Sequence, residues 1–168
     1  MIDDVTKRKN SQGLSWVLAH VAGVLSSTGF PTGTRAALKR MEPAHALPLT
    51  FYAFSLKHLP EGWERNPGDW ATIVSAMAIM APAIYRADTG LGKALARNGY
   101  SEARLERLLA AEGDTLRTLF LRAARFLASK QQPFNWTDAG QLFLFRDSKG
   151  LERLRLKIAR DFYLNQNQ

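Results

Sequence analysis

An all-α fold is the reading of this 168-residue chain, and three features predict it. Apolar residues recur at i, i+3, i+4 and i+7 in most segments, the spacing of one helix face. Ser, Asp or Asn stands ahead of several of these segments, where an N-cap belongs. No run alternates with the period that marks a half-buried strand. At this length the expectation is one compact bundle of about seven or eight helices, burying roughly 70% of the unfolded surface.

The elements follow in order. Residues 1–10, MIDDVTKRKN, are polar and are expected to be a flexible lead-in to a single domain over 11–168. Leu14, Val17, Leu18, Val21, Val24 and Leu25 form the apolar stripe of a first helix. STGFPTG is a turn-rich loop, and GTRAALKR (Gly33–Arg40) opens a short second helix with Ala37, Leu38 and Met41 inward. LPLTFYAFSLKHLP is a third helix, with Pro48 in its first turn and Pro60 beyond its end. Asp69 is placed to cap an apolar helix over Trp70–Ala81. ADTGLG reads as a waist between helical halves of about 11–87 and 91–164. Beyond it, Ser101 is expected to cap a helix through Ala111, Asp114 one through Ser129, and Asn135 one over Trp136–Phe145. Asp147 or Ser148 is expected to cap a last helix reaching about Leu164.

Composition narrows the function. The net charge is +8 and the isoelectric point is about 10.1, an excess that favours a polyanionic partner such as nucleic acid. There is no cysteine, so disulfides, thiolate zinc sites and a thiol nucleophile are excluded. The polar start lacks the apolar core of a secretory signal. The 15-residue run ATIVSAMAIMAPAIY is short for a membrane span, contains Pro82 and reads as a buried helix. A cytoplasmic location with no membrane partner is expected.

Catalytic constellations do not assemble. The histidines are His20, His45 and His58, and no two neighbours stand at H-x-x-x-H spacing. GLGK (Gly90–Lys93) resembles the end of a phosphate loop. However, Ala87 and Ala94 stand where that motif needs Gly and Ser or Thr, so it reads as a glycine turn into a helix. The carboxylates are scattered rather than clustered for two-metal chemistry. No enzyme activity, metal, cofactor or small-molecule substrate is expected.

The cations are more informative. At about 100° per residue, Arg117, Arg122 and Arg125 fall opposite the stripe Leu116, Leu119, Phe120, Ala123 and Leu127. In the last helix Leu151, Leu154, Ile158 and Phe162 form a tight stripe, and Arg153, Lys157 and Arg160 form a basic line on another side, with Lys149 near the helix start. Arg35 and Lys39 stack at i, i+4 in GTRAALKR, with Arg40 about 100° further round. Any one such face is ordinarily solvated. Three of them, rich in the phosphate-forking arginine, point to backbone contacts with little sequence readout. A rival reading takes SEARLERLLAAEGDTLRTLFLRAARF as a helix-turn-helix of a DNA-binding regulator. Another makes the chain a purely structural packing subunit.

Five motifs in order resemble one family. They are GTRAALKR after the first helix, GLGKALARNG, SEARLERLLAAEGDTLRTLFLRAARFL, FNWTDAGQLFLF and ARDFYL. Together they resemble the CasB family, the small subunit of the type I-E CRISPR surveillance complex (Cascade). The resemblance implies an all-α, non-enzymatic subunit for antiviral defence. Its expected partners are the other Cascade subunits, a second copy of itself, the crRNA–target DNA duplex and the displaced strand of the R-loop. The positions that match the family's DNA-facing basic residues are Lys39, Arg40, Arg104 and Arg125. Arg122, Lys149, Arg153 and Arg160 join them from the face analysis. The chain departs from the pattern at Lys39, where the family has Arg, at Asn135 before Trp136, and at Phe143 and Phe145 in place of tryptophans.

Overall fold

The structure, a computed structural model, describes the backbone of residues 2–167 and the side chains of residues 13–167. Among these residues nine α-helices follow one another. They are α1 (Ile2–Ser26), α2 (Thr32–Lys39), α3 (Leu49–His58), α4 (Pro67–Met80), α5 (Leu91–Arg97), α6 (Glu102–Ala110), α7 (Gly113–Ser129), α8 (Thr137–Leu144) and α9 (Ser148–Asn165). A 3-10 turn, Trp63–Arg65, precedes α4. The extended pairing is confined to one isolated bridge, Tyr85 with Phe134. The all-α class stands, with more helices than the spacing alone suggested. The backbone of α1 also takes in the polar lead-in, whose side chains lie outside the described residues.

The apolar run becomes α4, the central helix. Trp70 through Ala78 and Met80 are all buried, as expected of a helix apolar on every side. Helices α2 and α7 pack along it, and α1 and α8 close the remaining sides. Residues from both stretches, 11–87 and 91–164, thus contribute to one hydrophobic core. The ADTGLG segment is stitched to the loop before α8. The Arg86 and Phe134 amides donate to Phe134 and Ile84 carbonyls at 3.1 and 3.2 Å. Trp136 Nε1 donates to the Ile84 carbonyl at 2.8 Å. Asn135 Nδ2 donates to the Ala87 carbonyl at 3.1 Å.

Helix α5 lies against α9. Gly92 makes that approach possible, because a Cβ there would overlap the Ile158 carbonyl oxygen and sit 3.0 Å from Asp161 Cβ and Phe162 N. GLGK is thus a packing motif, led by Gly90 at the N-cap.

Two expected caps are in place: Ser101 Oγ accepts from the Arg104 amide, and the Asp147 carboxylate from the Lys149 and Gly150 amides. Helix α8 begins one residue later than expected, with Trp136 at its N-cap, and Asn135 Oδ1 accepts from the Thr137 amide at 3.0 Å. Asp69 and Asp114 do not cap. Helix α4 begins earlier, at Pro67, where the missing N–H costs nothing. Helix α7 begins at Gly113, whose φ of +56° favours glycine. Both carboxylates instead lie in the first turn and turn toward Arg117.

Candidate nucleic-acid interface

All eight predicted cations are exposed. Seven of them (Lys39, Arg40, Arg122, Arg125, Lys149, Arg153 and Arg160) make no side-chain ion pair or hydrogen bond among the described residues. Lys39 and Arg40 close α2, where Leu38 turns into the core and leaves its neighbours outward. Lys149, Arg153 and Arg160 lie within about 40° of each other on α9, on the side roughly opposite the buried stripe Leu154, Ile158 and Phe162.

Arg104 is the exception, because it is anchored. Its guanidinium carbon lies 4.4 Å from the Tyr100 ring centroid and 5.0 Å from that of Phe126, and its Nε donates to Ser101 Oγ at 3.2 Å. The two rings are 5.1 Å apart and tilted by 59°, forming a notch between the start of α6 and the second half of α7. Burial pushes the Tyr100 phenol up from its ordinary value, and the adjacent Arg104 charge offsets part of this. Lys130 Nζ sits 5.8 Å from the centroid of the Phe126 ring. Arg122, Phe126 and Lys130 succeed one another at i, i+4 and i+8, so they line one side of α7. Sequence reasoning missed Tyr100, Phe126 and Lys130. The signal was an aromatic one turn from Arg122, but nothing local shows that Arg104 folds onto it.

Three cations read as surface-facing are engaged by partners within the chain. Arg117 lies only about 60° round from Phe120, at the edge of the buried stripe rather than opposite it. Its Nε and Nη2 donate to Asp69 Oδ1 at 3.1 and 2.9 Å, and Nη1 donates to Asp114 Oδ1 at 2.7 Å. Burial alone would disfavour the Arg117 charge, but the two carboxylates outweigh it and hold its pKa above the ordinary value. Lys157 drops out of the α9 line, since its Nζ donates to both oxygens of the buried Asp138 at 2.8 and 2.7 Å. Arg35 closes the end of α1, donating from Nε and Nη2 to the Leu25 and Ser27 carbonyls, each at 3.0 Å.

The histidines play another part. His20 stacks on Trp16 with centroids 5.2 Å apart, and His58 meets Phe54 at 4.8 Å and His20 at 5.8 Å. Desolvation, His20 and Lys57 together lower the His58 pKa. Among the described residues no group of three or more potential ligands is placed to hold a metal ion, and no helix is long and apolar enough to cross a membrane.

Fold and surface together define a class: an all-α protein with one central buried helix and exposed, unneutralised cations on separate helices. The crystal structure of CasB from Thermobifida fusca shares this fold, with a TM-score of 0.61 at 18% identity, covering 91% of this chain and 97% of that one. Comparison with curated proteins gives no match. The profile of the CRISPR-associated protein Cse2 family matches residues 34–163, which is 130 of the 168 residues and includes all eight predicted cations. The chain belongs to that family, that of the CasB/Cse2 subunit of type I-E Cascade, and is a subunit of a CRISPR surveillance complex.

Proposed function

We propose that the chain steadies an R-loop through backbone contacts from its exposed cations and carries out no chemistry of its own. The observation that supports this most is the sorting of its arginines and lysines. Arg35, Arg117 and Lys157 are engaged within the fold, whereas the seven exposed cations named above have no partner among the described residues. A cation left without a carboxylate is available to a phosphate.

Small contacts suffice for such a role. Exchanging a DNA duplex for a guide heteroduplex is nearly balanced in free energy, so a few protein–backbone contacts tip it. The partners in this reading are the other subunits, a second copy of the chain, the crRNA–target duplex and the displaced strand. The test is binding of target duplex by the assembled complex carrying Arg40→Ala, Arg104→Ala and Arg125→Ala together. Weaker target binding with unchanged assembly is the expected result. Unchanged target affinity would overturn the assignment.

A further inference from the structure

Arg104 is held unlike the other exposed cations of the site. Its Nε–H is taken by Ser101 Oγ, so the side-on fork of Nε and Nη2 is not open to a phosphate. Its guanidinium carbon lies over both the Tyr100 and Phe126 rings. Tyr100 is buried and Phe126 half-buried, so the notch is part of the core and holds its shape. The residue itself is exposed, so the anchored side chain is reachable from solvent.

A planar cation held against aromatic rings on an exposed residue is a surface on which a nucleobase can stack. We propose that Arg104 is a stacking platform for one unpaired base. Arg122 and Lys130, one helical turn before and after Phe126, take the phosphates on either side. This rests on the nucleic-acid reading above and gives it a substrate class: a single strand, because the base faces in a duplex are already stacked on their neighbours.

The experiment uses the full chain with three oligonucleotides of equal length: a single strand, the same strand with abasic sites, and a duplex. Anisotropy is read for wild type, Arg104→Ala, Arg104→Lys and the pair Arg122→Ala with Arg125→Ala, each checked for an unchanged melting temperature. Arg104→Ala is expected to weaken binding of the intact strand about two- to fivefold, the size of a cation–π contact, and to leave the abasic strand nearly unaffected. Arg104→Lys keeps the charge and loses the plane, so it is expected to follow Arg104→Ala. Equal losses on intact and abasic strands would overturn the proposal in favour of a phosphate contact, and so would full activity of Arg104→Lys. If the Arg122 and Arg125 pair weakens both strands while Arg104→Ala weakens neither, stacking alone fails. If neither variant changes binding, the nucleic-acid reading fails with it.

Discussion

Replacing Gly92 by alanine tests the packing that carries the α9 cations. On helix propensity alone the change is favourable by about 1 kcal/mol, since glycine is the poorer helix former. The site reverses that sign. The new methyl would overlap the Ile158 carbonyl oxygen and stand 3.0 Å from Asp161 Cβ and Phe162 N. These atoms belong to the α9 backbone or are fixed to it, so no side chain can swing aside and the two helices must part. Overpacking of this kind costs about 1–3 kcal/mol, and a backbone obstacle puts the cost at the upper end. The net expectation is a loss of about 1–2 kcal/mol, or about 2–8 °C in Tm for a chain of this length. Thermal unfolding followed by circular dichroism measures it. Gly23→Ala is the internal control, because a Cβ on that α1 glycine meets nothing within 4 Å and is expected to stabilise by up to about 1 kcal/mol. A Gly92→Ala protein as stable as wild type would refute the close α5–α9 approach.

Further outcomes follow from the buried charges and the histidine pair. Asp69→Ala strands Arg117, whose side chain is 25% exposed, with only Asp114 for a partner. Breaking a fully buried pair costs about 3–5 kcal/mol, so a loss of about 2–3 kcal/mol in urea unfolding is expected here, and a change under about 0.5 kcal/mol would contradict the network. His58 has its pKa lowered in the folded state, so below the ordinary value of 6.5 the unfolded chain binds the proton more readily. Stability is therefore expected to fall as pH drops from about 6.5 through the lowered folded value, and His58→Gln is expected to flatten that part of the profile. An unchanged profile in His58→Gln would remove His58 as the cause.

Much of the fold was legible because it is local. The i, i+3, i+4 stripes located most of the helices, and Ser101 and Asp147 cap where their spacing placed them. The unbroken apolar run announced a helix buried on all sides. What the sequence concealed depends on partners distant along the chain. Asp69 and Arg117 are 48 residues apart, so the cap reading of one and the outward reading of the other failed together. Lys157 fits the α9 basic line by angle, and only the approach of α8 shows that Asp138 claims it. Arg104 was identified as a position, but its aromatic notch is closed by Phe126, which α7 delivers from the far side of a turn.

The most direct test of the account is the salt dependence of single-strand binding by the full chain, wild type against a variant with Arg40, Arg122 and Arg125 all changed to Ala. Each lost phosphate contact lowers the log–log slope by about 0.7, so the variant is expected to flatten it by about 2. Lys157→Met is the matched control, its ammonium being already held by Asp138, and is expected to leave the slope unchanged. A triple variant with the wild-type slope would contradict the claim that these exposed cations meet phosphate.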